Sequence, residues 1–72
     1  MNIEDLKPLK DKIVTFRMTD GEVAKVRVHS ISDEHEDLIV DILETTKPEH
    51  YRDLSNAFTF AAADIVSAIF GN

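Results

Sequence analysis

Cysteine is absent from these 72 residues, and glycine and proline occur only twice each. Without cysteine there is no disulfide framework, thiolate nucleophile or cysteine-based metal site, so stability must come from the core, a bound ligand or another chain. Gly21 and Gly71 are too few for a glycine-rich phosphate loop, and no Gly-x-Ser-x-Gly elbow occurs. A small β domain also has little interior left for a pocket once its core is placed, so neither an enzyme nor a cofactor is expected. No apolar run approaches the ~18 residues of a membrane span. The opening MNIEDLKPLK lacks the basic start and apolar core of a secretion signal. Together these absences point to a soluble cytoplasmic domain with no membrane partner. The chain reads as one domain, 1–72, which at this length buries only roughly 60% of its unfolded surface. Every large apolar residue therefore matters.

Basic charge is scarce as well. The net charge is −6, with six Lys/Arg against five Asp/Glu in residues 1–30 and two against nine in residues 31–72. Such a balance keeps a small protein soluble and repels phosphate backbones, which argues against nucleic acid as a partner. A local exception would be a polyanion strip of Lys12, Arg17, Lys25 and Arg27, although the preferred reading of these residues is as the solvated positions of two amphipathic strands.

What is present is a clear alternation over residues 13–31. Val14, Phe16 and Met18 alternate with Thr15, Arg17 and Thr19, and Ala24, Val26 and Val28 alternate with Lys25, Arg27 and His29. Asp20-Gly21 between the runs predicts a hairpin closed by a type I′ turn, which requires positive φ at both central residues. Residues 1–10 form a lead-in. Within it, Ile3, Leu6 and Leu9 recur at helical spacing, Asn2 can cap, and Pro8 ends the helix near Leu6 or Lys7. Its apolar side is expected to close one open end of the strands.

After Val28 the apolar phase switches from even to odd at Ile31, which predicts a bulge or bend around His29 and Ser30. Residues 32–36 read as a polar connection. Residues 37–46, DLIVDILETT, read as a third strand, apolar on both faces at 38–40 and so expected to be central and well covered. Residues 47–55, KPEHYRDLS, form a polar loop, either a variable tip or a binding element. For residues 56–70 a helix capped by Asn56 competes with two strands. Strand, tight turn at 62–64 and strand is the preferred reading, because the first three strands need edge partners.

This order of elements, with the alternation at 13–22 running into Asp20-Gly21 and the segment 63–69 closing the chain, resembles the Sm-like family. The resemblance implies a mainly β fold: a small five-stranded Sm-like or SH3-like barrel over residues 11–72, preceded by a short helix. It does not carry over the residues with which such barrels bind RNA. Where RNA-binding members have an Asp followed closely by an aromatic and an Asn, this chain has Asp33-Glu34-His35-Glu36-Asp37; where they have Arg-Gly or Lys-Gly before the last strand, it has Ala62-Ala63.

The acids and imidazole of residues 33–37 lack the glycine turn and alternating acids of a calcium loop, and His29, His35 and His50 fit no zinc spacing, so no metal is expected. The feature above background is an apolar surplus. Phe58, Phe60, Ile65, Val66, Ile69 and Phe70 occupy both parities of two short strands, more than one core-facing side holds. They are the candidate interface, unless the N-terminal helix covers them within the chain. The leading expectation is therefore a non-enzymatic protein-interaction or self-association module, whose partner is another protein or a second copy in a homo-oligomer. An Sm-like RNA binder using the basic strip is the alternative, and a small-molecule sensor around His50 and Tyr51 is a third reading.

Overall fold

The computed structural model describes residues 1–51, 53 and 56–70. Five antiparallel strands, β1 (Ile13–Met18), β2 (Val23–Ser32), β3 (Asp37–Thr45), β4 (Ala57–Ala61) and β5 (Ile65–Phe70), form one sheet in the order β4-β3-β2-β1-β5. A single helical turn, α1 (Ile3–Leu6), runs into a 3-10 turn at Lys7–Leu9. The mainly β fold with a short N-terminal helix is thus as expected, and residues 56–70 are two strands joined by a 3-10 corner at Ala62–Asp64. β4 and β5 are not hydrogen-bonded to each other, so the sheet stays open between its outer strands.

The hairpin closes differently from the type I′ expectation. Gly21 has φ 91°, but Asp20 is not among the positive-φ residues. Gly21 N–H donates to the Met18 carbonyl at 3.0 Å and Met18 N–H to the Glu22 carbonyl at 2.8 Å, which is the bonding of a three-residue loop with glycine as the bulge residue. The reason lies in the alternation itself. A two-residue loop at Asp20-Gly21 would set Phe16 opposite Lys25 and turn one apolar face toward a charged one. The extra loop residue instead pairs Phe16 with Ala24 and Val14 with Val26, and all four are buried. Asp20 suits the shape, since its Oδ1 accepts the Glu22 N–H at 2.9 Å.

Each later change of phase is taken up by one unpaired residue. Between β2 and β3 the register passes from Val28↔Val40 to Ser30↔Ile39, leaving His29 as the extra residue and letting Ile31 face Leu38. The expected bulge is therefore present. Leu43 is the corresponding extra residue on β3, and Val66 is the one on β5 where it pairs with β1. The expectation that β3 is well covered holds for one face only. Leu38, Val40 and Ile42 are buried, whereas Ile39 and Leu43 are exposed, because β3 has neighbours on both edges but, among the described residues, nothing stacked on its outer face.

The core lies on the inner face of the sheet, and the N-terminal segment lies over it. Ile3, Leu6 and Leu9 join Val14, Phe16, Val26, Leu38 and Ile65 in one buried cluster. The Asn2 side chain makes no capping hydrogen bond; its carbonyl accepts the Asp5 N–H instead. Three attachments hold the corner after β4. The Met1 nitrogen donates to the carbonyls of Ala62 and Ile65, Ala62 N–H to the Glu36 carbonyl, and Thr19 N–H to the Asp64 carbonyl. The β1–β2 loop, the corner and α1 are therefore tied into one assembly.

Gly21 offers a test of the loop. A Cβ there would meet nothing within 4 Å, so Gly21→Ala costs only the positive φ, about 1 kcal/mol. Gly21→Asn, whose side chain tolerates that conformation, costs less. Urea unfolding should show both midpoints lowered, alanine more than asparagine, with the slope unchanged.

Candidate functional site

The three-residue loop has a chemical consequence. By pairing with Met18, Glu22 is placed on the inner side of the sheet and is 3% exposed, the one polar or charged residue buried among the described residues. A buried carboxylate must be hydrogen-bonded, and the two ends of residues 45–51 supply the donors. Tyr51 Oη donates to Glu22 Oε1 and Oε2 at 2.9 and 2.7 Å, and Thr45 Oγ1 donates to Oε2. Lys47 N–H in turn donates to Thr45 Oγ1 at 3.1 Å. Glu22 thus anchors a loop, residues 45–51, in which no side chain is itself fully buried.

That loop turns through a 3-10 segment at Pro48–His50 and lays Tyr51 edge-on to Phe58, with ring centroids 4.9 Å apart, and 6.5 Å from Phe60. Outside this pair Asp20 gathers Lys47 and His50. Lys47 Nζ donates to the Asp20 carbonyl at 2.8 Å and lies 3.7 Å from Oδ2, while His50 Nδ1 lies 3.8 Å from the same oxygen. The Glu22 N–H, followed by the charges of Lys47 and His50, holds the Asp20 carboxyl below the usual range. Burial, then the bond to Glu22, pushes the Tyr51 phenol above its ordinary value. Asp20, Glu22 and His50 bring ligand-type atoms within 4.8 Å of one another. Lys47 already competes for Asp20, so this trio is poorly disposed toward a metal ion.

Beside the network is a cleft of about 310 Å³. Tyr51, Phe60 and Met18 give it two rings and a thioether, and Asp20, Glu22 and Asp64 give it three carboxylates. Sequence reasoning singled out Tyr51 and His50 but missed Glu22, Thr45 and Asp64. A signal for Glu22 existed, since position 22 continues the even phase of the inward residues 24, 26 and 28.

The candidate interface divides. Phe60 and Ile65 are buried in the core, because Phe60 pairs with Leu38 and Ile65 with Met18 on the inner face, so neither can serve as surface. Phe58 is half-buried against Tyr51. Val66, Ile69 and Phe70 are exposed at 59, 62 and 65%, so α1 covers Ile65 but not these three. The basic strip lies across the outer face of β1 and β2, with Glu44 opposite Lys25 and Asp41 opposite Arg27; only Lys12 and Arg17 lack an acidic cross-strand neighbour in the registered pairs. Asp41 also accepts from His29 at 2.6 Å. The acids at 33–37 are dispersed, Asp33 to an ion pair with Lys7 at 2.9 Å and Asp37 to the start of β3. No helix among the described residues is long and apolar enough to cross a membrane.

Tyr51 is the only tyrosine, so its ionisation can be followed directly. With the folded-state value raised, its contribution to stability is complete below the ordinary tyrosine value of about 10 and is lost as pH rises above it. Absorbance at 295 nm should therefore stay flat through pH ~10 and rise only with loss of the folded circular dichroism signal. Tyr51→Phe should remove the link between alkaline pH and unfolding while lowering stability at neutral pH by about 1–3 kcal/mol, because a buried acceptor loses its donor.

Comparison with known proteins finds no matching family model, no matching curated protein and no matching solved structure, which leaves the geometry above as the guide to function.

Proposed function

We propose that the chain is a non-enzymatic self-association module, a small curled β domain of the Sm-like kind whose open edges pair with further copies of itself. The observation that carries this reading is the exposure of Val66, Ile69 and Phe70 on β5, an outermost strand with no charged residue and no proline. Natural edge strands are usually protected by such residues, and apolar surface on an unprotected edge is stabilised by being covered, at about 25 cal/mol per Å². The opposite edge, β4, has the sequence AFTFA and is equally without charge.

Charge favours pairing unlike edges. The β3 strand beside β4 carries Asp37, Asp41 and Glu44, whereas β1 beside β5 carries Arg17. A head-to-tail contact sets the acidic flank of one copy against the basic flank of the next; β5 against β5 would not. The Sm-like reading rests on the strand order, the 3-10 corner before β5 and a nearly isometric shape of 29 × 24 × 22 Å. RNA binding is not favoured, since acids oppose Lys25 and Arg27.

Sedimentation over a range of concentrations should give a mass that climbs above the 8.1 kDa of one chain. Ile69→Lys, which adds charge to an exposed position without entering the core, should return it to a monomer with unchanged circular dichroism. A chain that stays at the mass of one copy throughout would overturn the proposal.

A further inference from the structure

The cleft beside Glu22 is independent of the edges and carries an inference of its own. Glu22 is 3% exposed, and among the described residues its partners are two hydroxyls, Tyr51 and Thr45, with no ammonium, imidazole or guanidinium bonded to it. A carboxylate offers about four acceptor directions. Oε2 takes both hydroxyls, while Oε1 takes only the shared Tyr51 proton. Among the described residues no opposite charge meets this carboxylate, and a buried charge is costly unless it meets one as well as hydrogen bonds.

The walls of the cleft point to the kind of group that would compensate it. Tyr51 and Phe60 present ring surface and Met18 a polarizable sulfur, while Asp20 and Asp64 add negative charge nearer the solvent. Among the described residues no basic one lines it. Lys47 and His50 face Asp20 from the loop side, and Lys47 is bound to the Asp20 carbonyl at 2.8 Å. Aromatic faces and carboxylates together attract cations that are partly desolvated, and a volume of about 310 Å³ is ample for the end of an alkyl chain bearing one. A small divalent ion would gain little from the rings.

We propose that this cleft binds an organic cation, an alkylammonium or guanidinium group, carried by a free amine or by the lysine or arginine side chain of a peptide. The apolar stem lies along Met18, Tyr51 and Phe60, and the charged head reaches Oε1 of Glu22 with Asp64 at the mouth.

The test uses the whole chain, labelled with nitrogen-15, titrated at constant ionic strength with butylammonium chloride, butylguanidinium chloride, and acetylated, amidated Gly-Lys-Gly and Gly-Arg-Gly. Saturable shifts are expected at the amides of Met18, Glu22, Tyr51 and Phe60. Tighter binding by the tripeptides identifies a peptide as the source, and equal or weaker binding a free amine. Butanol, the neutral counterpart, should produce none of these shifts. Asp64→Asn, at an exposed residue, should weaken binding about two- to fivefold, the size of one partly exposed ion pair, with the spectrum otherwise preserved. Glu22→Gln, where it folds, should weaken it at least about tenfold, as expected for a charge-assisted bond. No saturation by any of the cations overturns the proposal. So does an equal response to butanol, which would mean that the apolar stem alone is recognised, or saturation by magnesium or zinc chloride where organic cations fail. Neither monomeric behaviour nor self-association of the chain alters these outcomes.

Discussion

The constraint on which this structure depends is that the apolar faces on either side of Gly21 must coincide. Period two allows no compromise: a loop with an even number of residues would bury one strand's apolar side chains and expose those of the next. The three-residue loop resolves this, and its other effects are geometric. It gives glycine the positive φ, gives Asp20 a backbone N–H to accept, and carries Glu22 to the inner side. The buried carboxylate then requires donors, which come from residues 23 and 29 positions away in sequence. One choice of loop length thereby fixes the position of a distant segment.

The same logic explains the surface. A strand cannot change which side it buries without spending an unpaired residue, and the chain does so at His29, Leu43 and Val66. Two of these are large, apolar and exposed. Their side chains are aimed outward by the irregularity of the ladder. Exposure of Val66 is thus built into the pairing of β5 with β1, and Ile69 is exposed by its place opposite Thr15 on the outer face.

Much of this was legible in the residues. The phase switch at Ile31 located the bulge, and the two short apolar runs around Ala62–Asp64 located the corner, because both depend on local alternation. The surplus of apolar residues at the C-terminal end was legible as a surplus, but its division was not. Phe60 and Ile65 go inward and Val66 outward according to register with β3 and β1, which are remote in sequence. The cleft was the least readable part. Glu22 has the correct phase for burial, yet its charge argues for solvent, and only the approach of Tyr51 and Thr45 makes the inward position tenable. Long-range satisfaction of one polar atom leaves no periodic trace in a sequence.

The bulge at Val66 bears on what a deletion there would do. Loss of one codon within a strand ordinarily inverts every residue downstream, exchanging inside for outside. At Val66 the opposite holds: excising this residue would bring Ile65 and Ser67 into an unbroken ladder with Met18 and Arg17, leaving the interior as it was and removing one exposed apolar side chain. A one-residue deletion there therefore trims the apolar surface of β5 at little cost to the core.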